Sequence, residues 1–223
     1  MLLACLVLAQ NNQRLMSEEA IKQVTSVFGE KGQRLFLSWG AFVLEQLNAQ
    51  KQQTERQTLE HINQYFNQRI RFVSDQEHWK KEDYWATPLE SLVTQAGDCE
   101  DYVIAKYFSL IQSGVPQEKL RITYVKAIRL NQAHMVLAYY ATPKSEPLIL
   151  DNINPQILTA SKRRDLVPVY SFNGLGLWLE RQQGSIKVGN AGRLSMWMDV
   201  LLRMQEQGLG PWRELPNPAN KDN

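Results

Sequence analysis

At Pro116 the hydrophobic period of this chain changes from 3.6 residues to 2, and that change limits the folds open to it. Before it, apolar residues recur at helical spacing. Ser17 can cap a first helix carrying Ile21, Val24, Val27 and Phe28 before Gly29, and a second runs from about Gln33 to Ala49 with Leu35, Trp39, Phe42, Val43 and Leu47 on one stripe. Thr54 and Gln57 have capping-box spacing ahead of Leu59, Ile62, Phe66 and Ile70. Thr87-Pro88-Leu89-Glu90 opens a further helix predicted to end at Gly97, and Asp98 then caps one that reaches Gly114. After Pro116, strands are predicted over Arg121–Arg129, Ala133–Tyr140, Pro147–Asp151, Val167–Phe172, Leu175–Glu180 and Ser185–Val188, and a last helix over Leu194–Gln205. Helices first and antiparallel strands later indicate an α+β domain with one core and no repeats. A single domain is expected over residues 11–207, with a loose Pro- and Asn-rich tail over 208–223.

Charge and cysteine usage exclude several classes. Lys and Arg number 25 against 23 Asp and Glu, which removes the electrostatic basis for a nucleic-acid binder. The run Lys162-Arg163-Arg164 is too short to restore it and reads as a solvated loop. Cys5 and Cys99 are the only cysteines, too few for a disulfide framework, and no Cys/His cluster supports structural zinc. No apolar run approaches the roughly 20 residues of a membrane span, so stable membrane insertion is not expected. Met1–Ala9 resembles the end of a secretory signal peptide, and Leu3-Ala4-Cys5 faintly resembles a lipoprotein cleavage site; residues 1–10 are read as a signal remnant or disordered.

The chemistry concentrates in Gly97-Asp98-Cys99-Glu100-Asp101-Tyr102. Cys99 falls at the first position of a helix, where free N–H groups and the helix dipole favour a thiolate, and its charged neighbours are unlike those of an inert core cysteine. His134 opens an otherwise apolar strand and Asp151 closes the next one. The two lie at equal distances from the 142/143 boundary, close to the centre of the turn-prone segment Thr142–Glu146, so a hairpin sets them on one face, the acid orienting the imidazole and the imidazole activating the thiol. Asp98, Glu100 and Asp101 oppose a thiolate by like charge. Helix capping explains part of the cluster; a bound cation would neutralise the rest, and hard carboxylate oxygens suit Ca²⁺.

These segments, together with Trp85-Ala86-Thr87-Pro88-Leu89-Glu90, Ile104-Ala105-Lys106-Tyr107, Ala133-His134-Met135-Val136 and Leu150-Asp151-Asn152, resemble the bacterial transglutaminase-like cysteine proteinases of the LapG type across roughly Glu18–Met204. The resemblance implies a papain-like, transglutaminase-like core, with Cys99 as nucleophile, His134 as general base and acid, and Asp151 as its partner. Calcium ligation falls on Asp98 and Glu100, with Asp101 beside them. It further implies a periplasmic protease that cuts the N-terminal region of a large surface adhesin at a pair of small residues and disperses biofilm. An inner-membrane receptor of the LapD type would sequester it when cyclic di-GMP is high. Trp85 is a candidate second oxyanion donor by proximity in sequence. A transglutaminase-type acyl transferase and a non-catalytic binding module of the same fold remain the rival readings.

Overall fold

In the computed structural model, which describes residues 17–181 and 184–209, the two periodicities become two layers. Ser17 caps α1 (Glu18–Ala49), its side chain accepting the Ala20 N–H at 3.1 Å. Gly29 interrupts that helix at φ 66° and ψ −169°, so the two helical stretches expected here meet at one residue whose conformation strains any side chain. The Thr54–Gln57 capping box opens α2 (Glu55–Arg69), followed by β1 (Arg71–Phe72) and α3 (Asp75–His78). A second box, Thr87–Glu90 with Pro88 at the first helical position, opens α4 (Pro88–Thr94). That helix does not continue to Gly97. Gln95 takes the left-handed conformation at φ 55°, and β2 (Ala96–Gly97) pairs in parallel with β1 before α5 (Cys99–Gln112) begins.

The second layer is an antiparallel sheet of β3 (Leu120–Ala127), β4 (Gln132–Tyr139), β5 (Leu148–Leu150), β6 (Leu158–Thr159), β7 (Leu166–Asn173), β8 (Gly176–Arg181) and β9 (Gly184–Gly189), in the order β6-β5-β4-β3-β7-β8-β9. Its edge strand β6 is two residues long and carries no periodic signal, which is why the sequence pattern misses it. The helix α5 lies against β3 and β4, and α1, α2 and α4 pack on α5. The result is the α+β arrangement expected from the patterning, with a helical first part on an antiparallel sheet.

The hairpin register differs from the symmetric one. Leu150, not Leu148, stands opposite Leu137, a shift of two residues along the partner strand. Because side chains alternate with period 2, a two-residue shift keeps every side chain on its expected face. His134 and Asp151 are therefore offset diagonally, with Asp151 just beyond the end of β5, yet they still meet.

The main core runs from Val24 and Trp39 through α5 to the sheet. At its centre the Trp197 ring of α6 (Ser195–Glu206) stacks on Phe108 at 5.5 Å and meets Tyr107 and Phe172 edge-on at 5.7 and 5.4 Å. The same helix is tied back to the segment before α4. Arg203 donates to the Trp85 carbonyl, to the Tyr84 hydroxyl and to Glu90; just past the helix, Gln207 donates to Glu90 and accepts from Thr87. Leu209 is buried, and its N–H donates to the Met204 carbonyl at 2.9 Å. The expected signal remnant with Cys5, and residues 210–223 of the expected tail, lie outside the described residues. Among the described residues no helix is long and apolar enough to cross a membrane.

Candidate active site and metal centre

The β1–β2 pairing delivers the chain to the N-terminus of α5, with Cys99 its first helical residue. Gly97 is required here for space and not for conformational freedom: a Cβ on it would fall 2.5 Å from Asp101 Oδ2. That carboxylate accepts the Ala86 N–H at 2.7 Å and the Asp98 N–H at 3.2 Å, bracing the segment before α4 against the start of α5. Gly97→Ala is therefore expected to displace Asp101, destabilise the fold by about 1–3 kcal/mol, and lower activity with it. Urea denaturation alongside turnover checks both effects.

Cys99 is half-buried and its thiol donates to Glu100 Oε2 at 2.9 Å. Burial first, then the neighbouring Glu100 and Asp98, push this thiol well above its ordinary range, while the Met135 backbone N–H, directed at the sulfur, acts the other way. The helix N-terminus alone does not make a thiolate here. With burial and like charge both working against a thiolate, the sulfur needs a base to take its proton.

The residue before Met135 is His134, 3% exposed. His134 Nε2 lies 2.9 Å from Asp151 Oδ1, and Asp151 is fully buried. With Nε2–H directed at the acid, Nδ1 is the nitrogen left to take a proton. Asp151 is held from several sides. Its Oδ1 also accepts the Ile153 N–H at 3.0 Å, its carbonyl accepts from Asn67 at 2.9 Å, and its Oδ2 accepts from Arg163 Nη2 at 2.7 Å. Burial works to raise this carboxyl, but His134, the Ile153 N–H and Arg163 outweigh it and hold Asp151 well below the usual carboxylate range. The assignment of Lys162-Arg163-Arg164 to solvent is corrected at its middle residue: Arg163 is 3% exposed, because the turn Ala160–Lys162 aims it inward at an acid. Trp85 is buried with its ring stacked on Phe172 at 5.8 Å, and its carbonyl is occupied by Arg203.

Around the start of α5 the acids form three overlapping groups whose ligand atoms lie within 4.8 Å of one another: Asp98, Cys99 and Glu100; Asp75, Asp83 and Glu100; Asp75, Asp98 and Asp101. Asp98, Glu100 and Asp101 thus come together with Asp75 of α3 and Asp83 of the loop after it. Sequence reasoning missed that second pair, since nothing local links residues 75 and 83 to residue 98. The β1–β2 pairing, which sets α3 beside α5, is what joins them.

The cluster has the electrostatics of a cation site. Asp75 Oδ1 and Asp98 Oδ1 are buried without a hydrogen-bond partner among the described residues. Burial, then Glu100, raises Asp98 to about 9; burial raises Glu100 to about 7; burial, then Asp98, raises Asp101 well above its ordinary value; and burial raises Asp75. Carboxylates this crowded hold protons unless a positive charge replaces them. Hard oxygen donors from five acids fit calcium.

Comparison with known proteins places this geometry. The sequence profile of the bacterial transglutaminase-like cysteine proteinases, BTLCP, matches residues 42–167, more than half of the chain. The chain belongs to the bacterial transglutaminase-like cysteine proteinases. Solved structures similar to it include Legionella pneumophila LapG after EGTA treatment, 42% identical with a TM-score of 0.73 over 86% of this chain and 99% of that one. Calcium-bound Legionella pneumophila LapG is 41% identical with a TM-score of 0.69 over 83% and 98%. No curated protein matches. As a BTLCP member the chain is a cysteine protease with a transglutaminase-like fold. The site brings together a half-buried thiol at the start of α5 and, in the strand whose Met135 N–H points at that sulfur, an imidazole paired with a buried carboxylate, the group types that acyl transfer through a cysteine uses.

Proposed function

We propose that this cysteine protease is a calcium-dependent endopeptidase exported to the periplasm, where it cuts the N-terminal region of a large surface adhesin at a pair of small residues and so promotes biofilm dispersal. Its control would lie with an inner-membrane cyclic-di-GMP receptor of the LapD type that sequesters it. The observation that carries the reading is that Cys99, at the start of α5, lies within the acidic cluster, grouped with Asp98 and Glu100, in a chain 41% identical to a LapG solved with calcium bound.

His134 Nδ1 takes the proton of the Cys99 thiol, and the sulfur attacks the scissile carbonyl carbon. Asp151 fixes the ring and stabilises the imidazolium that results. The Cys99 backbone N–H, at a helix start where intrahelical acceptors are lacking, would hold the developing oxyanion. His134 returns the proton to the leaving amine as the C–N bond breaks. It then takes a proton from water, whose oxygen attacks the thioester, and Cys99 regains its thiol. Asp98 and Glu100, with Asp75, Asp83 and Asp101, would hold calcium, which supplies the positive charge that lets these acids ionise while lessening their repulsion of a thiolate. The acyl acceptor separates hydrolysis from transfer to an amine.

The test is incubation with recombinant N-terminal adhesin fragments, with calcium and with EGTA, followed by mass spectrometry. One calcium-dependent cut between small residues is expected. Incorporation of a labelled amine into a glutamine-bearing protein, without scission, would overturn the protease assignment in favour of acyl transfer.

A further inference from the structure

We infer that Arg163 is a positioning residue of the catalytic centre, holding Asp151 through an ion pair that Asp165 locks from behind. The inference rests on the reading of Cys99, His134 and Asp151 as the triad. Asp151 Oδ1 is shared by His134 and the Ile153 N–H, whereas Oδ2 accepts from Arg163. Without that guanidinium one oxygen of a fully buried carboxylate loses its partner, and the carboxylate is free to turn away from the ring. Arg163 is itself fixed as a fork: Nε reaches Asp165 Oδ1 at 3.0 Å, and Nη2 bridges Asp165 Oδ2 at 2.9 Å and Asp151 Oδ2 at 2.7 Å.

As pure structure this arrangement is poor value. A buried ion pair contributes little net stability compared with an apolar packing of the same volume. Here Arg163 Nη1 is also buried without a hydrogen-bond partner among the described residues. What the arrangement provides is orientation. Placing Asp151 one step past β5, outside the sheet's hydrogen bonding, leaves its side chain unsupported by the ladder, and Arg163 from the turn before β7 takes over that support. Besides Arg163 and its partner Asp165, the fully buried Lys106 of α5 also acts on Asp151 electrostatically.

The experiment compares Arg163→Met, Arg163→Lys and Asp165→Asn with His134→Ala and Asp151→Ala, all with calcium present. Cleavage of the adhesin fragment gives kcat and KM against pH, and mass spectrometry follows alkylation of Cys99 by iodoacetamide. Arg163→Met is expected to lower kcat about ten- to hundredfold with KM nearly unchanged, in the range seen when a group orienting an active-site ligand is removed. Arg163→Lys keeps the charge but not the fork, so kcat falls less than in Arg163→Met; Asp165→Asn behaves similarly. Wild-type kcat in a folded Arg163→Met would overturn the inference, whatever its melting temperature. If that variant does not fold, wild-type kcat and alkylation rate in both Arg163→Lys and Asp165→Asn overturn it. Full activity in His134→Ala and Asp151→Ala would instead overturn the triad.

Discussion

Cys99→Ala abolishes peptide-bond cleavage while the protein melts close to the wild-type temperature. The expected loss is about 10⁴-fold or more, because removing the nucleophile of a coupled set costs nearly as much as removing the whole set. The fold survives because Cys99 is only half-buried, packs at the margin of the core, and makes its contacts to Glu100 and the Met135 N–H locally. Losing the sulfur leaves a small gap at the edge of the site and no large cavity. Gel analysis of the adhesin fragment and a thermal scan check the two halves together. A Cys99→Ala enzyme that still cuts removes this residue from the mechanism.

Chelating calcium produces the second large effect, and its size depends on pH in a definite direction. At a calcium concentration a hundredfold above the dissociation constant, binding to the folded state alone adds about 2.7 kcal/mol. For a chain of this length that corresponds to a melting temperature lower by about 5–10 °C in EGTA, accompanied by loss of cleavage. Without the cation, Asp98 and Glu100 titrate in the folded protein at about 9 and about 7, above their unfolded values. The folded state then binds more protons than the unfolded one, so their contribution is fully present below about pH 4 and declines as pH rises through those values. The EGTA-treated protein should accordingly melt at a lower temperature at pH 8.5 than at pH 5.5, with calcium closing a larger gap at the higher pH. Asp151, held low, has the opposite sign and loses its contribution only in acid, below the ordinary carboxylate range. An EGTA-treated protein equally stable at both pH values, or equally active with and without calcium, would contradict the assignment of these acids to a cation.

What the sequence reveals and what it conceals divide along the distance over which a signal acts. The start of α5 is legible because capping, helix polarity and nucleophile placement are written within the few residues 97–102. The meeting of His134 and Asp151 is legible because strand alternation tolerates the two-residue register shift, although a shift of one would have turned the acid to the other face. Asp75 and Asp83 are concealed because the two-residue pairing of β1 with β2 that recruits them is too short to leave a pattern. Arg163 is concealed for a different reason. Three consecutive cations look the same whether all face water or one turns inward, and only its acidic partners, one of them twelve residues away, distinguish the two cases.

The attachment of α6 bears on when this enzyme can first exist during synthesis. Trp197 completes an aromatic core with Phe172 and with Tyr107 and Phe108, which come from far earlier in the chain, and Arg203 and Gln207 clasp the segment entering α4. A ribosome that has not yet delivered α6 holds a chain whose rings are uncovered and whose helix α5 lacks its backing. Such long-range closure is slow relative to helix formation, so proteolytic capacity waits until α6 has been made and has docked.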